Sequence, residues 1–152
     1  MNQQRTLIIL KPDAFQRRLL GTIISRIEQK GLQIIGMKLM KISRELAERH
    51  YGVHRGKPFF DDVVSYITSG QVIVMAVEGQ YAISVVRTLV GATKGYEAAP
   101  GTIRGDFGIS IRYNLIHASD SEESASTELG IFFSDNEIVS QPLQINSWIQ
   151  GE

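Results

Sequence analysis

The stretch Asn114-Leu-Ile-His117-Ala-Ser119-Asp120, with Glu128 downstream, gathers the residue types of nucleophilic chemistry at close spacing. An imidazole is a fair nucleophile and is half-neutral near physiological pH. To attack, one ring nitrogen must keep its lone pair, which requires a partner to hold the other. Glu128, directly or through Ser119, is the candidate partner. The nine residues from Ser119 to Glu128 make about two and a half helical turns, so the carboxylate points back only if His117 lies beside that helix. Taken alone, a histidine in this setting is more often a packing or surface residue than a catalyst.

Phosphate handling is the chemistry to weigh next. No Walker A pattern occurs, because the one Gly-Lys pair, Gly56-Lys57, runs into Pro58; a P-loop kinase is excluded. Phosphates would have to be held by side chains. Arg87 and Arg104 can offer guanidinium forks and Thr93 a hydroxyl. Read singly, Arg87 is a solvated helix residue and Arg104 a loop partner of Asp106. Lys11 directly follows an apolar run, where a cation either faces a pocket or snorkels to solvent. Phe59 and Phe60 read as core aromatics. His50 and His54 have the i, i+4 spacing of a zinc pair, but no glutamate follows His50 and Gly52 interrupts the helix. Both are therefore expected as surface or loop residues, with no metal held by the protein alone.

Asn114-x-x-His117-x-Ser119-Asp120 resembles the active-site signature of nucleoside diphosphate kinases. The resemblance covers nearly the whole chain, through Thr6-Leu-Ile-Ile-Leu-Lys11-Pro12-Asp13, His50-Tyr51, Pro58-Phe59-Phe60, Arg87, Gly91-Ala-Thr93 and Pro100-Gly-Thr-Ile-Arg104-Gly-Asp106-Phe107. The chain departs from the family pattern at Ala118, where glycine is usual, and at Thr93-Lys94-Gly95, which lacks the usual proline at its third position. The resemblance implies ping-pong transfer of the γ-phosphate from a nucleoside triphosphate, typically ATP, to a nucleoside diphosphate through phosphohistidine at His117. Glu128 and Ser119 would orient the ring, and Tyr51 would lie beside Lys11. Lys11, Arg87, Thr93 and Arg104 would meet phosphates, with Lys11 and Asn114 also at the sugar. Phe59 would stack on the base, with Val63 and Ile111 lining the same cleft; such apolar contact tolerates any base. Mg²⁺ would arrive with the nucleotide, near Asp120. Family members are homo-oligomers, hexamers or tetramers, and the chain leaves that choice open. Two rival classes are a binding module that keeps the cleft without turnover and a histidine phosphocarrier that hands its phosphate to protein.

The elements that must position these residues follow from pattern. Leu7–Leu10 and Val72–Val77 are continuous apolar runs, expected as buried central strands running parallel. Ile34–Ile42 alternates loosely with Lys38 and Lys41, as a half-exposed edge strand does. Helices are expected from Gly21 to Lys30, from a Ser43 cap to His50, over Phe59–Ile67, over Tyr81–Val90 and over Ser121–Leu129, with Leu115–His117 a short strand. The order β-α-β, helical insert, β-α-β implies an α+β, ferredoxin-like split β-α-β sandwich: a four-stranded antiparallel sheet with helices on its faces. Its fourth strand would run antiparallel beside the first, bringing Asn114 to Lys11. Residues 92–114 form a long glycine-containing connection, read as a binding or assembly loop.

Composition bounds the rest. With 152 residues, 43% hydrophobic and 21% charged, the chain is expected to be one domain over residues 1–152. Sixteen basic and 16 acidic residues cancel, which argues against a dedicated nucleic-acid binder; Gly101-Thr-Ile-Arg-Gly105 has one residue too many for a Gly-x-x-Gly loop. No cysteine is present and no signal peptide or membrane span is expected, so the expected address is the cytoplasm.

Overall fold

The computed structural model describes residues 3–151. Four strands, β1 (Gln3–Leu10), β2 (Gln33–Lys41), β3 (Gln71–Gln80) and β4 (Ile116–Ala118), form one sheet in the order β2-β3-β1-β4, with every neighbouring pair antiparallel. Between them lie α1 (Pro12–Gln16), α2 (Leu20–Gln29), α3 (Arg44–His50), α4 (Phe60–Ile67), α5 (Ala82–Val90), α6 (Ile103–Phe107), α7 (Glu122–Phe132) and α8 (Asn146–Gln150). This is the expected split β-α-β arrangement. One expectation is corrected: the two apolar strands β1 and β3 are central, but antiparallel rather than parallel. The crossover through α1 and α2 returns β2 parallel in direction to β1, yet β3 inserts between them. Antiparallel to β2, it is antiparallel to β1 as well.

Strand alternation divides the core in two. Ile8 and Leu10 turn to one face with Ile23 and Ile27 of α2 and Ala82, Val86 and Val90 of α5. Leu7 and Ile9 turn to the other with Ala47 of α3, Val64 and Ile67 of α4 and Phe132 of α7. At the register position of Ile9, His117 takes this second face. Two helix starts carry serine caps, the expected one at Ser43, whose Oγ accepts from Leu46 N (3.1 Å), and a second at Ser121, whose Oγ accepts from Ser124 N (3.0 Å). Thr102 Oγ1 likewise accepts from Gly105 N at 2.9 Å, opening a short helix inside the 92–114 connection. That connection closes tightly. A Cβ on Gly105 would stand 1.9 Å from Ala99 O, so only glycine lets the loop backbone approach itself there. Among the described residues, no helix is long and apolar enough to cross a membrane.

Candidate active site

The residues of interest meet at the end of β1, where β4 begins. Lys11 N donates to Leu115 O at 2.8 Å, and Lys11 Nζ donates to Asn114 Oδ1 at 2.7 Å, joining positions 103 residues apart. A regular strand sends residues three apart to opposite faces. Asn114 and His117 nevertheless line the same cleft. Leu115 makes this possible: its φ of 72° is left-handed, a conformation a branched residue adopts only when its surroundings hold it. Here Asp13 Oδ2 accepts from Leu115 N at 3.1 Å, and the side chain is fully buried.

His117 stands beside α7 as its proposed partnership requires. Nε2 lies 2.5 Å from Glu128 Oε1, and Ser119 Oγ donates to the same oxygen at 3.2 Å. A carboxylate oxygen only accepts, so the ring proton sits on Nε2 and Nδ1 keeps its lone pair. Ser119 is buried and fixed to the sheet, its hydroxyl accepting from Leu7 N at 3.2 Å.

An open cleft of about 510 Å³ surrounds this histidine. Lys11, Tyr51, Arg87, Thr93, Arg104, Asn114, His117, Asp120 and Glu128 all line it. Three expected base contacts stand outside that lining: Phe59 and Ile111 are exposed, and Val63 is half-buried against the second core. Phe59 is nearby, its ring 5.2 Å from that of His54 on the cleft wall.

Burial sets the electrostatics. It pushes the Lys11 ammonium down to about 7, aided by the Arg104 charge and opposed by Asp13. Arg104 is itself buried and held down to about 10, chiefly by desolvation and then by Arg87. Its guanidinium donates from Nε to Asn114 O (3.1 Å), from Nη1 to Gly91 O (3.2 Å) and from Nη2 to Ile116 O (2.6 Å). The residue thus pins β4 to the loop while lining the cleft. Arg87 Nη1 donates to Ala118 O at 3.2 Å. The Asp120 carboxyl is lowered by a hydrogen bond from Ser124 and further by Arg87.

Three residues were missed in the sequence. Tyr66 is a ring beneath Lys11, with Nζ 5.6 Å from its centroid, while Tyr51 lines the same cleft as Lys11. Asp13 accepts from the Tyr66 hydroxyl and from Leu115 N. His50 is no surface residue: its ring packs edge-on against His117 at 4.7 Å and touches Tyr51 and Phe132. Burial holds it down to about 2, hence neutral. Lys11-Pro12-Asp13 was a visible signal for Asp13, whereas Tyr66 and His50 come to the site only through helix packing.

A nucleoside diphosphate kinase profile matches residues 4–138. The chain belongs to the nucleoside diphosphate kinase family. It is 57% identical over 146 residues to a nucleoside diphosphate kinase of Herpetosiphon aurantiacus, covering 96% of this chain and 98% of the relative. It is 56% identical to one of Archaeoglobus fulgidus, covering 98% and 99%. Among solved structures, a halophilic nucleoside diphosphate kinase from Halobacterium salinarum, in complex with CDP, superposes with a TM-score of 0.94 at 48% identity, covering 97% of this chain and 98% of that one. As a nucleoside diphosphate kinase, the chain is a phosphotransferase that moves phosphoryl groups between nucleotides.

Proposed function

We propose that residues 1–152 act as one domain that passes the γ-phosphate of a nucleoside triphosphate, typically ATP, to a nucleoside diphosphate through phosphohistidine on His117. The observation that carries this reading is the 2.5 Å contact of His117 Nε2 with Glu128, which leaves Nδ1 as the attacking atom. A bond forms from Nδ1 to the γ-phosphorus as the bond to the bridging oxygen breaks, and the diphosphate leaves with that electron pair. The ring becomes positive, and Glu128 stabilises it through the Nε2 proton. A second diphosphate then takes the phosphoryl group back by the same path.

Charge on the moving phosphoryl group is met by Arg87, Arg104 and Lys11, with Thr93 as a hydroxyl donor. Arg104 has five N–H donors and three are engaged by backbone carbonyls, so about two remain for phosphate. Asn114 and Lys11 take the sugar, and Tyr51 contributes a buried wall. Phe59, Val63 and Ile111 offer apolar contact to the base, with no base-edge donors, hence broad base acceptance. Asp120 and Glu123 give the cleft mouth two carboxylates, a donor type that suits Mg²⁺. When bound with the nucleotide, Mg²⁺ neutralises phosphate charge.

The exposed Met37 and Leu39 on edge strand β2 support a homo-oligomer, hexamer or tetramer, which light scattering after size exclusion would resolve. A cysteine-free composition suits the cytoplasm. The decisive test uses γ-labelled ATP: the label should enter the protein as an acid-labile, base-stable adduct and leave on addition of GDP. His117→Ala should bind nucleotide and take no label; wild-type turnover by that variant would refute the reading. A phosphocarrier would accept the label and keep it when GDP is added.

A further inference from the structure

His50 has no role in the transfer just described, yet it lies against the nucleophile. Its Nδ1 and Nε2 are both sealed from solvent, and neither has a hydrogen-bond partner among the described residues. A buried polar group without a partner is costly and calls for an explanation. One ring nitrogen of His50, one of His117 and a carboxylate oxygen of Glu128 all lie within 4.8 Å of one another. Two imidazoles and one carboxylate are the donor set of a zinc site with an open fourth position. Ligand atoms about 2.0–2.1 Å from a tetrahedral ion stand about 3.3 Å apart, so small rotations of the His50 and Glu128 side chains would close the set.

We propose that His50, His117 and Glu128 form an inhibitory site for a borderline divalent ion such as Zn²⁺, distinct in ligand chemistry from the oxygen-bound Mg²⁺ of the nucleotide. Binding silences the nucleophile by either of two routes. An ion on Nδ1 takes the attacking lone pair directly. An ion on Nε2 displaces the proton now shared with Glu128, and a neutral imidazole must then carry its single proton on Nδ1. In both cases the attacking pair is gone. A hard ion such as Mg²⁺, which prefers oxygen and keeps its waters, does not compete here. The site's existence rests on the three side chains; its inhibitory effect rests on His117 being the nucleophile, as proposed above.

The test separates the two. Co²⁺ titrated into the full-length, nucleotide-free protein should give the intense visible absorption of a tetrahedral nitrogen-oxygen site at one ion per chain, displaced by Zn²⁺ and unaffected by excess Mg²⁺. His50→Asn and Glu128→Gln should each weaken Co²⁺ binding at least about tenfold. Having two variants on different helices keeps the result readable if one misfolds. In parallel, Zn²⁺ should abolish labelling of wild-type protein by γ-labelled ATP, and a chelator should restore it. An absorption spectrum that stays that of the hydrated ion overturns the site, as does Co²⁺ binding that neither variant weakens. Tight Co²⁺ binding with undiminished labelling overturns the inhibition. Absence of any label in metal-free protein, with the Co²⁺ spectrum intact, counts against the phosphohistidine reading and leaves the site standing.

Discussion

Ser119 ties Glu128 to the sheet. Its hydroxyl accepts from Leu7 N and donates to Glu128 Oε1, each at 3.2 Å, while Ser119 N donates to Leu7 O at 3.1 Å. One fully buried side chain thus completes the β1–β4 ladder and aims the carboxylate that holds His117. Ser119→Ala leaves Leu7 N without its acceptor, a loss of about 1–3 kcal/mol. Urea denaturation should register that loss, and rapid-quench labelling should register a slower phosphorylation. A variant as stable as wild type would break this link.

Glu128→Gln keeps the shape and loses the charge. The amide can still accept from Nε2, but it stabilises a positive ring far less and can flip to present its NH₂ group. We expect phosphorylation to fall about 10²-fold, short of the roughly 10⁴-fold cost of fixing a catalytic histidine in the wrong tautomer. Single-turnover kinetics with excess enzyme would measure it. The steady-state amount of phosphoenzyme should also drop, because the ring cation loses its counter-charge.

Lys11 gives a pH signature. Its folded value of about 7 lies below the ordinary 10.5, so between those pH values the unfolded chain binds more protons than the folded one. Stability from this residue therefore rises with pH across that window, and the cost of burying its charge is full below about 7. Lys11→Met should flatten that slope in denaturation curves taken from pH 6 to pH 10 (about the two edges of the window). An arriving phosphate favours the ammonium, so nucleotide binding near pH 8 should take up a proton in wild type but not in Lys11→Met. Calorimetry in two buffers of different ionisation heat reads that uptake.

Arg104→Lys tests whether this side chain serves the protein as well as the ligand. A lysine cannot span Gly91 O, Asn114 O and Ile116 O from one rigid plane. We expect a loss of about 2–3 kcal/mol in ligand-free protein, alongside weaker nucleotide binding. If Arg104 existed only for phosphate, thermal denaturation of the ligand-free variant would match wild type.

Much of this site was legible in the chain. The Ser43 cap, the half-exposed β2 edge, the pairing of His117 with Glu128 and the approach of Asn114 to Lys11 all follow from local pattern and one topology. What was not legible is non-local. Nothing in the β1 or β3 sequences says that β3 inserts between β1 and β2, which decides their relative direction. His50 reads as a surface or loop residue because no glutamate follows it and Gly52 interrupts its helix. Packing of α3 against α7, through Phe132, is what buries it. Tyr66 joins Lys11 because α4 turns that ring toward the end of β1.

The left-handed turn at Leu115 limits which chain lengths this protein can tolerate. Because that one residue swings Asn114 round to the side that His117 already occupies, the two-residue interval between them is a mechanical dimension. Adding or deleting one residue there would carry the imidazole to the opposite side of the sheet, among Ile8 and Leu10, whatever its chemistry. Length drift in this family should therefore gather at the exposed turn near Gly56 and in the tail beyond Val139, and stop short of this corner.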